Sequence, residues 1–113
     1  MEVCPSTILN SDASENVAYN ITNFPAYIKK GQLSSYPDFR AVSHWHDDFE
    51  FILILDGQMS YDINGHKISL QTGEGIFVNS RCFHYGYSDS HTECIFICIL
   101  LSPQLLSTNN YFV

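Results

Sequence analysis

The chain has 113 residues, 45% of them hydrophobic and 15% charged, a length that suits one packed domain and is too short for two. Twelve acidic against five basic side chains give a formal charge of -7, and a surface this acidic repels phosphate backbones and anionic lipid. An aromatic content of 14% argues against disorder, because few aromatics and low hydrophobicity are what keep a chain unfolded.

The first residues show no basic segment leading into an apolar one, so they do not read as a signal peptide. The longest unbroken apolar run, Cys94 to Leu101, falls far short of the ~20 residues a membrane helix needs, and a cytoplasmic location is expected. The four cysteines, at 4, 82, 94 and 98, include no C-x-x-C pair. On an extended strand Cys94 and Cys98 would lie roughly 13 Å apart, too far to bridge, so reduced thiols are expected.

Residues 1–22 are polar, rich in Ser and Asn and without sustained period, and read as an N-terminal arm. A β-barrel is expected over 23–103, with 104–113 beginning a linking helix or tail. Asp48 to Leu55 is rich in β-branched and aromatic residues and predicts a strand ending at Asp56-Gly57. Met59, Tyr61 and Ile63 alternate with Gln58, Ser60 and Asp62, the pattern of a half-exposed strand. Asn64-Gly65 signals a type I′ hairpin turn, since that turn needs positive φ at both central positions. The returning strand alternates His66, Ile68 and Leu70 with polar residues. After Gly73-Glu74-Gly75 come Ile76 to Val78, a strand near Cys82 to Tyr87, and a long one from Thr92 to Leu101. That last strand is apolar on both parities, so both faces are expected to be buried. Short strands with tight turns and no helix before Pro103 predict an all-β sandwich or barrel.

The chemistry concentrates between Ser43 and Glu50. Side chains two apart on an extended chain share a face, so His44, His46 and Glu50 point one way and Trp45 the other. Two imidazoles and a carboxylate, joined by His84 from a later strand, suit Fe, Mn, Ni or Zn as divalent ions with open positions left over. The same groups could instead line a pocket for an organic ligand, or bond to one another and to water. Asp48 has the parity to face inward, whereas His66 and His91 read as solvated.

His44-x-His46-x-x-x-Glu50 with Gly57 resembles the first motif of the cupin superfamily, with Asp38 in place of its leading glycine. Gly73 followed by His84 resembles a degenerate second motif, with Asn79, Arg81 and Ser88 at positions where the family has proline, glycine and asparagine. The wording from His44-Trp45-His46 through Asp56-Gly57, Asn64-Gly65, Gly73-Glu74-Gly75 and Cys82-Phe83-His84 resembles the N-terminal effector domain of AraC-type transcription regulators.

That resemblance spans about residues 24–106 and implies a cupin-type jelly-roll barrel. It also implies a small-molecule effector, often a sugar, inside the barrel, an arm over it, homodimerisation, and DNA binding through a helix-turn-helix part outside this chain. Candidate ligand contacts are His44, His46, Glu50 and His84, with Arg40 to clamp an anionic group and Trp45 and Tyr85 to offer aromatic faces. The rival is a metal-dependent enzyme, a dioxygenase or isomerase with His44, His46, Glu50 and His84 as its ligands. A plain dimerisation module with a vestigial pocket is the third alternative.

Overall fold

The computed structural model of the chain describes residues 9–107. Cys4, the rest of residues 1–8 of the expected arm, and residues 108–113 of the expected tail lie outside the described residues. Six strands form in chain order: β1 (Ala26–Gln32), β2 (Phe49–Ile63), β3 (His66–Gln71), β4 (Gly75–Val78), β5 (His84–Tyr87) and β6 (Cys94–Leu101). Single 3-10 turns occupy Leu33–Ser35 and Pro37–Phe39, and a short helix α1 covers Gln104–Ser107. Every strand pairing is antiparallel, so the all-β expectation holds.

β2 organises the barrel. Its first half pairs with β6 on one side and β4 on the other, and its second half pairs with β3 and β5. The two strands expected on either side of Asp56-Gly57 are therefore one strand of 15 residues. Gly57 bends that strand without ending it. The register against β6 shifts between Ile54 and Asp56, a bulge that kinks and twists the strand. Gly57 has φ +92°, and a Cβ there would sit 2.1 Å from the carbonyl oxygen of Glu93. Only glycine lets the backbones pass this closely. At the other end of β2, Asn64 (φ 50°) and Gly65 (φ 88°) make the expected hairpin turn into β3.

The pleat then sorts β2. Glu50, Ile52 and Ile54 are buried, while Phe51, Leu53 and Leu55 face outward. The core gathers Leu33, Ile52, Ile54, Met59, Leu70, Val78, Cys94 and Phe96 inside the barrel. On β6, Cys94, Phe96 and Leu100 are buried, but Ile95, Ile97, Ile99 and Leu101 are only partly covered. The expectation that both faces of β6 are buried is thus corrected. β6 is hydrogen-bonded on both edges, by β1 and β2, and its alternate side chains stay partly exposed.

The segment before β2 runs antiparallel to β5. Ser88 N donates to Phe39 O at 2.9 Å, Ala41 N to Gly86 O at 3.0 Å, and Arg81 N to His46 O at 2.8 Å. This ladder lays His44 and His46 beside His84.

Candidate functional site

His44, His46, Glu50 and His84 are all buried, and one ligand atom from each lies within 4.8 Å of the others. Parity alone does not bring them together. The chain bends at Asp47-Asp48, so His44 and His46 come from the segment paired to β5, and Glu50 comes from the start of β2.

Each imidazole is tethered in the same way. His44 Nδ1 lies 2.7 Å from Val42 O, His46 Nδ1 3.0 Å from Asp48 O, and His84 Nδ1 2.7 Å from Cys82 O. A carbonyl only accepts, so each Nδ1 carries a proton and donates, which aims the Nε2 of each ring inward. The hydrogen bond on the far nitrogen is the arrangement that orients a metal-ligating histidine and sharpens its basicity.

The inward atoms meet the Glu50 carboxylate, 3.3 Å from His46 Nε2 to Oε1 and 3.4 Å from His84 Nε2 to Oε2. Tyr61 OH donates to Oε2 at 2.6 Å, and Cys98 Sγ lies 3.7 Å from Oε1. Burial works against a charge on Glu50, but His84 and His46 beside it hold its pKa well below the usual carboxylate range. Burial also opposes a proton on His46, yet its pKa is raised, because the Glu50 carboxylate accepts from it and sits alongside. His44 differs: burial, helped by His84, pushes it down to about 4, so its ring is neutral at pH 7. His84 Nε2 is the one buried side-chain N or O atom among the described residues without a hydrogen-bond partner. Three ring nitrogens and a carboxylate converging on one point, one nitrogen without a partner, fit a divalent cation that displaces the His46 proton. His and carboxylate donors suit Fe, Mn, Ni or Zn.

Beside the cluster opens a cavity of about 70 Å³, walled mainly by apolar side chains such as Leu33, Ile52, Met59, Phe96 and Leu100. The described part of the arm is bonded to Trp45, between His44 and His46. Glu15 N donates to Trp45 O at 2.8 Å, Trp45 N to Ala13 O at 3.1 Å, and Trp45 Nε1 to Asp12 O at 3.2 Å. Glu15 thereby enters the cavity wall, its Oε1 3.8 Å from His44 Nε2. Burial, with some opposition from His46, raises the pKa of Glu15.

Other expected contacts lie elsewhere. Arg40 pairs with Asp89 at 2.8 Å and stacks its guanidinium over Tyr87, with Tyr85 alongside, outside the cavity wall. Trp45 faces the arm, as its parity suggests, and Tyr85 rests against Tyr87. Asp48 is buried but accepts from Tyr19 OH at 2.8 Å and does not join the cluster. His66 and His91 are exposed, and His91 stacks on Phe39. Sequence reasoning did not single out Tyr61, Cys98 or Glu15. Tyr61 and Cys98 reach Glu50 only because β2 bends and β6 pairs with it, and nothing in a polar arm marks Glu15. Cys82, Cys94 and Cys98 form no disulfide, and burial pushes Cys94 up to about 11.

A sequence model of the AraC-like ligand binding domain matches residues 30–109. The chain is 26% identical over 105 residues to an uncharacterized HTH-type transcriptional regulator, YdeC, of Bacillus subtilis (strain 168). That alignment takes in 93% of this chain but 36% of the regulator, so the chain spans about a third of its relative's length. In backbone it is similar to a cupin-like protein from Thermotoga maritima, with a TM-score of 0.65 at 18% identity over 74% of this chain and 62% of that one. A predicted oxalate decarboxylase from the same organism gives a TM-score of 0.61 at 22% identity, covering 69% of this chain and 68% of its own. Both likenesses establish a cupin fold. No helix among the described residues is long and apolar enough to cross a membrane.

Proposed function

Because this chain belongs to the AraC-like ligand-binding domain family, we propose that it is the effector-sensing barrel of an AraC-type transcription regulator. The effector is held at His44, His46, Glu50 and His84. One observation carries this reading: three histidine Nε2 atoms and a carboxylate converge beside a partly open cavity whose wall includes Glu15 of the N-terminal arm. Ligand acts by population shift, binding one arrangement of the arm more tightly than the other. In this reading residues 1–22 are the arm, 23–103 the barrel and 104–113 the start of the link. DNA is bound through a domain outside this chain, the protein works in the cytoplasm as a homodimer, and it turns over no substrate. A divalent ion at the four residues supplies a Lewis-acidic handle for an oxygen atom of the ligand.

The orphaned Nε2 of His84 favours a second reading, a metal-dependent cupin enzyme using the same four residues. Elemental analysis of protein purified without a metal-affinity step, beside a His44→Ala/His46→Ala double variant, tests the site. Near one equivalent of a transition metal, lost in the variant, is the expected result. Metal below about a tenth of an equivalent after adding Fe(II), Mn(II) or Zn(II) at neutral pH, where imidazoles are free to bind, removes the metal from both readings. A thermal-shift screen with sugars and small acids then separates sensor from enzyme. Stabilisation without turnover supports the sensor, and turnover abolished by chelation overturns it.

A further inference from the structure

Glu15 stands at the His44 edge of the cluster, outside the four residues whose ligand atoms all lie within 4.8 Å of one another. Its Oε1 lies 3.8 Å from His44 Nε2, whose lone pair points inward because Nδ1 donates to Val42 O. No hydrogen bond holds the Glu15 carboxylate among the described residues, although the side chain is three-quarters covered. Its backbone, in contrast, is fixed by the bond from Glu15 N to Trp45 O, one residue from His44. Two acceptors facing each other across this gap repel unless a cation lies between or beside them.

We propose that Glu15 is a displaceable ligand: with the arm closed, its carboxylate completes the set of His44, His46, Glu50 and His84 around a divalent cation, and the effector is a short carboxylic acid that binds by taking its place. The proposal rests on the sensing reading above and names its ligand class. A position built for one carboxylate accepts another of the same charge and geometry. The cavity behind it sets the rest of the ligand. At about 70 Å³ it has room for roughly two water molecules' worth of atoms, and its wall is mostly apolar. A short hydrocarbon tail fits there, whereas a sugar ring is larger than this space.

Cobalt(II) serves as the spectroscopic ion and propionate as the carboxylate, with propionamide and glucose as neutral controls. Wild type, Glu15→Gln and Glu15→Ala are titrated with cobalt(II) at pH 7 while the visible spectrum is recorded. The expected result is a changed spectrum and about a tenfold loss of cobalt(II) affinity in both variants, the low end of what removing a supporting group costs a metal site. Propionate restores a wild-type-like spectrum in Glu15→Ala and binds it more tightly than wild type, where it must first displace Glu15. Propionamide and glucose do neither.

Cobalt(II) binding with the same spectrum and affinity in all three proteins overturns the role of Glu15 and leaves the four-residue site standing. Rescue by propionamide or glucose overturns the carboxylate class. No cobalt(II) binding by the wild-type chain overturns the metal-supported site itself, and the proposal with it. Glu15→Gln keeps the shape of the side chain, so a change seen in both variants is not a packing effect.

Discussion

Tyr61 and Glu50 share a buried hydrogen bond of 2.6 Å across the bend of β2, joining the far end of the strand to its start. Burial raises the Tyr61 pKa well above its ordinary value, so the hydroxyl keeps its proton and donates. A charge-assisted bond inside a barrel is worth more than an exposed one, because the acceptor left behind has no water to turn to. Tyr61→Phe is expected to cost about 1.5–3 kcal/mol in urea denaturation of the metal-free protein at pH 7. A loss under about 0.5 kcal/mol would mean that Glu50 is satisfied without it.

Two glycines with the same backbone sign offer an internal control on the fold. Gly57 and Gly65 both have positive φ, yet a Cβ at Gly57 meets the Glu93 carbonyl at 2.1 Å and one at Gly65 meets nothing within 4 Å. Gly65→Ala should cost about 1–2 kcal/mol, the left-handed backbone penalty alone. Gly57→Ala should cost clearly more, or prevent folding, because β2 and the start of β6 must separate. Equal midpoints in thermal melts of the two variants would contradict the close passage of those backbones.

Much of this architecture was legible in the residues, for reasons that differ from element to element. Asn64-Gly65 fixes its hairpin locally, since few dipeptides tolerate two positive φ angles. The His44, His46, Glu50 and His84 set was legible from spacing and resemblance, although the real convergence comes from the pairing of residues 39–46 with β5. Gly57 misled the reading of β2, because a glycine that ends one strand and a glycine that bends another look alike in sequence. Arg40 and Tyr85 were expected near the ligand, but the Asp89 carboxylate and the Tyr87 ring hold them outside the cavity. Such partners, like those of Glu15 and Cys98, are set by long-range pairing and leave no local pattern.

Glu93 links the start of β6 to the turn after β1. Its carboxylate accepts from Ser34 N at 3.0 Å, Cys94 N at 3.0 Å, Gln32 Nε2 at 2.9 Å and the Ser34 hydroxyl. The small loss of hydration opposes ionisation, but these donors bring its pKa down to about 2. A carboxyl whose folded pKa lies below its unfolded one stabilises the fold at pH above the unfolded value, and that contribution fades as pH falls from about 4.5 towards 2. Glu93 is exposed, so solvent screening limits the effect to about 1 kcal/mol. Glu93→Gln should therefore be less stable than wild type by about that amount at pH 7, with the two curves converging near pH 2. A constant difference at all pH values would assign the effect to packing instead.

The outer face of the sheet supports the proposed homodimer. Phe51, Leu53 and Phe77 are between 42% and 47% exposed, and the Phe51 and Phe77 rings pack at a tilt with centroids 5.0 Å apart across the β2–β4 pair. Ile97, Ile99 and Leu101 of β6 continue this surface on the other side of β2. A contiguous apolar face of this kind marks an interaction surface more often than a bare one, because monomers seldom leave large apolar patches in water. A charged side chain on the face should abolish pairing without touching the barrel interior, since the pleat sends Phe51 and Phe77 away from Glu50 and Ile52. Sedimentation velocity is expected to find wild type dimeric and Phe51→Glu/Phe77→Glu monomeric, with the variant's circular dichroism and cobalt(II) binding unchanged. A wild-type chain that stays monomeric at tens of micromolar would remove self-association through this face from the proposed function, and an unaltered dimer in the double variant would move it to another surface.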